Sequence, residues 1–353
     1  MSLEERVMDL AAEVPPPNGP AADEAGRRHL TLTKPPGSLG RLEELGARLA
    51  GMAGICPPAV PEDPAVVVCA GDHGALDRGV SPWSREVTAA MVQNFCGGGA
   101  AVNAIAKTVG ARVSVLDVGV AGDLERHPAL RAAKVRPGTD DLSRGQAMGR
   151  EEAARAVLAG AGLAEELVES GGVDLLVTGD MGIGNTTPAA ALISAFTGRP
   201  PEATTGRGTG IDEETYGLKV RVVREALDLH LPDPTDPVGA LAAVGGLEHA
   251  AIVGVILMGA ACGVPVLLDG VVSNSAALAA RALAPDSVGY MLAGHLSAEP
   301  GAGVALEELG LKPLLALDMR LGEGTGGLLA VPVVQGAARV LGSMATLEDL
   351  GVG

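Results

Sequence analysis

From Ala65 onward the chain repeats one pattern: a short run rich in Val, Leu or Ile ends in Asp or Gly, a polar loop follows, and a helix-length segment leads to the next run. Ala65 to Ala70 runs into Gly71-Asp72-His73-Gly74, Val113 to Leu116 into Asp117-Val118-Gly119, and Val173 to Thr178 into Gly179-Asp180-Met181-Gly182. Val264 to Leu268 then ends in Asp269-Gly270, Val288 to Ala293 in Gly294-His295, and Leu314 to Leu317 at Asp318. Six such runs predict an α/β fold, a mostly parallel sheet with helices on both faces. Ligands of such sheets bind beyond the carboxyl ends of the strands, where all of these polar loops would lie.

Composition agrees with that architecture. Apolar residues make up 47% of the chain but aromatics only 1%, so the core must be built from Ala, Val, Leu and Ile, with 51 glycines supplying turns and close packing. The 353 residues allow one large domain or two smaller ones. Residues before Ala65 look helical, with Ser38 predicted to cap a helix running through Leu39, Leu42, Leu45 and Leu49, and the Pro-rich connector Pro57 to Pro64 marks a boundary. A net charge of -17, from 26 basic and 43 acidic residues, argues against nucleic-acid or anionic-membrane binding through a basic field. The uncharged stretch Ala250 to Leu268 is long enough on paper to cross a bilayer. Gly254, Gly259, Gly263 and Pro265 interrupt it, so it reads as a buried helix, a turn at Gly263 and a buried strand. Cys56, Cys69, Cys96 and Cys262 have neither disulfide nor zinc-knuckle spacing, and the charged start MSLEERVMDLAAEV lacks a signal-peptide core; both point to the cytoplasm.

Several loops carry candidate chemistry. Gly179 to Pro188, GDMGIGNTTP, follows a strand and precedes an Ala-rich helix. Gly182 and Gly184 can expose successive N–H groups and Asn185, Thr186 and Thr187 can cap the helix, which makes an anion site or an ordinary glycine turn. A second glycine loop, Thr205 to Gly210, precedes an acidic helix start, and Arg207 or Lys219 could neutralise a phosphate or be solvated charges on a helix face. His73 and His295, with Asp72, Asp269 and Glu299, are readable as metal ligands or acid–base groups, although no two His share a ligand spacing. Gly97-Gly98-Gly99 reads as the tightly packed start of a helix, and Gly245-Gly246-Leu247-Glu248-His249 as the start of the long buried one. In LLALDMRLGEGTGG, Leu314 to Gly327, Glu323 stands between Gly322 and Gly324 with no basic residue nearer in sequence than Arg320. It is a candidate general base or an idle loop carboxylate.

Taken together, TKPPGSLGRLE from Thr33, AGDHG from Ala70, GVS from Gly79, NFCGGGAAVN from Asn94, LDVGV from Leu116, MGIGNTTPAA from Met181, GRGTG from Gly206, LLDG from Leu267, GHLSAE from Gly294, LDMRLGEGTG from Leu317 and MATLEDLGV from Met344 resemble, in order, the nicotinate-nucleotide:dimethylbenzimidazole phosphoribosyltransferases. The resemblance spans nearly the whole chain. It implies transfer of phosphoribose from nicotinate mononucleotide to dimethylbenzimidazole, giving alpha-ribazole phosphate for the lower ligand of cobalamin, and nicotinate. It further implies a Rossmann-like catalytic domain over residues 61–327, a small helical domain from residues 1–60 and 328–353, and a homodimer. The family's base falls on Glu323, and its phosphate and ribose contacts on Asp180, Gly182, Ile183, Gly184, Asn185, Lys219 and Ser297. A flat apolar slot must hold the acceptor, for which Trp83, Met91 and Leu321 are candidates.

The implied chemistry needs neither cofactor nor metal, because nicotinate leaves from a positively charged pyridinium. Two positions depart from the family pattern. Asp180 stands where the family has a Glu, one methylene longer, and Ala90 where it commonly has a Gln, which predicts a reshaped acceptor slot. Transfer to another aromatic base, such as adenine, benzimidazole or a phenol, and a nucleotide-binding module without turnover are the competing readings.

Overall fold

The computed structural model describes residues 1–208 and 210–351. Thr209 of the second glycine loop, and Val352 and Gly353 at the end of the terminal segment, lie outside the described residues. The strands β1 (Pro64–Gly71), β2 (Arg112–Gly119), β3 (Leu130–Ala132), β4 (Leu175–Met181), β5 (Val266–Leu268) and β6 (Met291–Ala293) form one sheet in the order β3-β2-β1-β4-β5-β6. Every pairing is parallel. Every residue of β1 and β4 is buried. Successive strand residues point to opposite faces, so both faces of the sheet centre are covered, which is why these strands read as unbroken apolar runs.

Five of the six apolar runs become strands; the sixth does not. Leu314 to Leu317 lies alongside the segment that leaves β6, with Leu314 N–H donating to Ala293 at 2.8 Å, Leu296 N–H to Leu315 at 2.8 Å and one isolated parallel bridge, His295 to Leu315. It is half-exposed to exposed, since it sits past the sheet edge. The remaining strand is β3, three residues with a half-exposed Leu and two exposed neighbours, too short and too polar to register as a run.

Helix Leu247–Ala261 lies along β1 and β4, and helix Arg150–Glu165 packs on it. The two touch backbone to backbone: a Cβ on Gly254 would collide with the Val157 carbonyl and one on Gly160 with the Ala251 carbonyl. Ala250 to Leu268 therefore divides into this buried helix and β5. Among the described residues, helix Thr325–Ser343 alone is long and apolar enough to cross a membrane, and 56% of its apolar window is buried inside the fold.

At the amino-terminal end, helices Gly19–Thr31 and Arg41–Ala53 pack on the far end of helix Thr325–Ser343, where Ala25, Ala50 and Leu341 form a small apolar cluster of their own, whereas helix Leu3–Ala12 packs on helices Arg150–Glu165 and Leu247–Ala261. Ser38 does not cap the third of these helices. Gly40, at φ 53, precedes its first residue, and Glu43 reaches back to accept the Leu39 N–H at 3.1 Å and pairs with Lys34 at 2.7 Å.

Candidate active site

Strand order reverses between β1 and β4, the chain moving from β1 outward to β2 and β3 on one side and through β4 to β5 and β6 on the other. The crevice at their carboxyl ends is where a ligand enters such a sheet. The turn carrying Glu323 closes over it: a Cβ on Gly179 of β4 would lie 2.9 Å from the Glu323 carbonyl carbon, so only glycine fits beneath. Glu323 itself has φ 62, between Gly322 at 82 and Gly324 at 87. A non-glycine residue there costs about 1–3 kcal/mol, and such strain gathers at functional positions.

The Glu323 side chain is only 6% exposed. Burial pushes its pKa up, a hydrogen bond from the Val102 backbone opposes this, and the nearby Asp269 carboxylate adds to it, leaving the group at about 7. Val102 belongs to helix Ala101–Val109, whose start after the triple glycine thus faces the carboxylate. Nothing in the local sequence at Gly97-Gly98-Gly99 points to that role.

Glu323 opens into a cavity of about 450 Å³ walled by Trp83, Val87, Met91, Met181, Ile183 and Leu321, with Asp180 and Asn185 at its inner end. Trp83, Met91 and Leu321 are thus brought together with Glu323, and Trp83 (52% exposed) and Leu321 (55% exposed) form an open rim. Ala90 does not line this cavity. It is exposed on helix Glu86–Gly97, while Val87 and Met91, one turn apart, face inward. As Ala, residue 90 thus contributes nothing to the wall of the slot.

The slot continues into a narrower pocket of about 80 Å³, lined by Asp180, Gly182, Ile183, Gly184, Asn185, Lys219 and Ser297 together with Ser81, Thr186, Gly208 and Glu299. Two helices, Thr186–Thr197 and Val271–Leu283, begin at this pocket, so their N–H groups and dipoles favour an anion there. Asn185 does not cap the first of them as expected. Its amide turns back to donate to Asp180 at 2.9 Å, leaving the helix start without its side chain. The Ile183 N–H is also engaged, donating to Thr88 Oγ1 at 3.1 Å.

Lys219 is 2% exposed and donates to Thr186 Oγ1 at 2.7 Å and the Gly206 carbonyl at 3.1 Å. Burial lowers its pKa to about 8, partly opposed by Glu299. Arg207 instead pairs with Glu213 and lies over the Tyr216 ring, 5.0 Å from its centre. Asp180 lines both cavities despite its missing methylene. Burial, then the Asp269 charge, pushes its pKa well above the usual carboxylate range, against the Asn185 hydrogen bond.

The remaining His and acidic loop residues serve the scaffold. Asp72 accepts the Ala121 N–H at 2.7 Å. Glu299 accepts the Gly208 N–H at 2.8 Å and so holds the second glycine loop. His73 and His249 both contact Glu248 at 2.8 Å behind Gly182, all three buried. Burial works to raise the Glu248 pKa but the two imidazoles outweigh it, bringing it to about 2. Among the described residues no three His, Cys, Asp or Glu side chains are grouped to hold a metal ion.

A family model described as a phosphoribosyltransferase matches residues 14–352. The chain is 57% identical over 335 residues to the nicotinate-nucleotide–dimethylbenzimidazole phosphoribosyltransferase of Salinispora tropica, covering 91% of this chain and 92% of that one. Against the enzyme of the same name from Chloroflexus aggregans the identity is 52% over 332 residues, 94% of each chain. The crystal structure of a nicotinate-nucleotide-dimethylbenzimidazole phosphoribosyltransferase from Thermus thermophilus superposes with a TM-score of 0.90 at 48% identity, over 95% of this chain and 99% of that one.

Proposed function

The chain belongs to the nicotinate-nucleotide–dimethylbenzimidazole phosphoribosyltransferases, and from that premise we propose that it moves phosphoribose from nicotinate mononucleotide to dimethylbenzimidazole, giving alpha-ribazole phosphate for the cobalamin lower ligand, and nicotinate. The observation that carries the assignment of roles is the meeting of two unlike cavities at Asp180: an apolar slot holding the raised carboxylate of Glu323, and a narrow pocket with Lys219 and two helix starts.

In this reading the phosphate takes the narrow pocket, with Lys219, Ser297 and the Gly182 to Asn185 turn around it, and the flat acceptor takes the slot between Trp83, Met91 and Leu321. Bond formation at one ring nitrogen makes the acceptor cationic, and Glu323 removes the proton from the other nitrogen as that charge develops. Asp180, which lines both cavities, is placed to hydrogen-bond sugar or base where they meet. Nicotinate departs as a neutral pyridine ring from a pyridinium, and attack from the opposite face inverts the sugar from beta to alpha. Purified protein given both substrates should form nicotinate and alpha-ribazole phosphate by chromatography. A panel of acceptors tests the slot: an apolar wall with polar groups only at its inner end favours methylated benzimidazoles over adenine, and preferential use of adenine would refute that.

Two further outcomes follow. Lys219→Met is expected to raise KM for nicotinate mononucleotide about 10- to 100-fold, the worth of a charged hydrogen bond, with a smaller change in kcat. Unchanged KM would take the phosphate out of this pocket. Chelator treatment should leave turnover unchanged, since the pyridinium needs no metal to leave; inactivation reversed by one added metal would contradict this. The same reading includes a homodimer in the cytoplasm, for which the free thiols of Cys56, Cys69, Cys96 and Cys262 are in keeping, and a small helical unit from the two termini, supported by the cluster at Ala25, Ala50 and Leu341.

A further inference from the structure

Helix Thr325–Ser343 begins one residue after Gly324, which stands at φ 87, and among the described residues no side chain from its own turn caps it. The first N–H groups of a helix need an acceptor, and here it arrives from another strand. Asp269, at the end of β5, accepts the Gly324 N–H at 2.9 Å on Oδ2 and the Gly326 and Gly327 N–H groups at 2.7 and 3.0 Å on Oδ1. Its side chain is fully buried, its backbone N–H donates to Thr178 Oγ1 at 3.3 Å, and His295 Nε2 lies 3.4 Å from Oδ1. The His295 ring packs on Gly326, where any Cβ would strike it.

We propose that Asp269 is a positioning residue for the reaction: its carboxylate clamps the turn that presents Glu323 and supplies the negative charge against which Glu323 ionises. Gly324 is bonded directly to Glu323, so holding its N–H fixes the left-handed backbone that aims Glu323 into the slot. Three N–H donors and the positive end of the helix dipole converge on the Asp269 carboxylate. The groups facing Glu323 are Asp180 from β4, Asp269 from β5 and the Val102 N–H of helix Ala101–Val109, while His295 lies against Asp269. Arg320, on the same loop, turns away to donate to the Gly208 carbonyl at 3.1 Å. Asp269 is thus at once the anchor of the turn and a buried carboxylate whose charge acts on Glu323.

The inference rests on Glu323 being the base, and its test is the pH profile of Asp269→Asn against that of the unaltered enzyme. The amide sets an NH2 donor against one of the N–H groups it must accept and removes the charge. The expected result is kcat lower on the order of 10²-fold, the cost of a misplaced catalytic group, little change in KM for nicotinate mononucleotide, and a rise of kcat/KM displaced to lower pH. Asp269→Glu keeps the charge but moves the oxygens by a methylene, so kcat should fall while the rise stays at its original pH. A whole profile lowered in proportion to lost folded protein, with no displacement, overturns the inference. If Asp269→Asn does not fold, Asp269→Glu decides, and wild-type kcat there overturns it equally. Loss of the base reading looks different: Glu323→Gln would then retain turnover, whatever the Asp269 variants do.

Discussion

Replacing Glu323 with Gln is expected to lower kcat by about 10²- to 10⁴-fold, the range for a general base, while nicotinate mononucleotide still binds. Gln keeps the shape and the left-handed turn but cannot take a proton. The native pH profile gives an independent readout. With its pKa near 7, Glu323 is protonated and idle in acid, so kcat/KM should rise with pH through about 7 and fall again above about 8, where Lys219 loses the charge that holds the phosphate. A profile flat from the ordinary carboxylate range upward would sink the assignment. The stability sign is opposite. A carboxylate whose folded pKa is raised binds more protons folded than unfolded, so between its ordinary value of 4.5 and about 7 stability falls as pH rises. Glu323→Gln removes that penalty. Above the transition the variant should melt no lower than the native protein, which separates lost chemistry from lost fold.

How much of this is legible depends on whether the signal is local. Val66 to Ala70 and Leu175 to Thr178 are buried on both faces and therefore apolar throughout, so β1 and β4 stand out, and with them the loops at their ends. Leu314 to Leu317 copies that signature without the pairing, because apolarity reports burial against something, not membership of a ladder. Residues 130–132 give no signature at all. At the site, Glu323 and the Gly182 to Asn185 turn carry their glycines in sequence. Asp269 and Glu299 act through hydrogen bonds to residues 55 to 58 and 91 positions away, and no spacing rule reaches that far. Asn185 misleads for the same reason: a capping residue type is visible, but the competing acceptor Asp180 becomes an alternative only once the turn has folded.

The largest effect on the fold is expected away from the chemistry, at Gly254→Ala. Helices Leu247–Ala261 and Arg150–Glu165 approach until backbone meets backbone, and a methyl at Gly254 would overlap the Val157 carbonyl, with Ala161 N only 2.7 Å away. A carbonyl in a buried helix cannot move aside as a flexible side chain can, so the helices must part. The cost should reach or exceed ~3 kcal/mol, the upper range for overpacking, out of a total of about 5–15 kcal/mol. Gly162→Ala, in helix Arg150–Glu165 with nothing within 4 Å of the new methyl, is the control. There the change should stabilise by roughly 0.5–1 kcal/mol through helix propensity alone. Urea midpoints that move in opposite directions for the two variants would establish close approach as the cause; a Gly254→Ala midpoint at or above the native one would show that the helices can separate freely. The consequence reaches the site. Helix Leu247–Ala261 lies under β1 and β4 and holds Glu248 against His73, directly behind Gly182. In a core with almost no aromatic side chains to fill space, the depth of this helix is set by bare backbone contact.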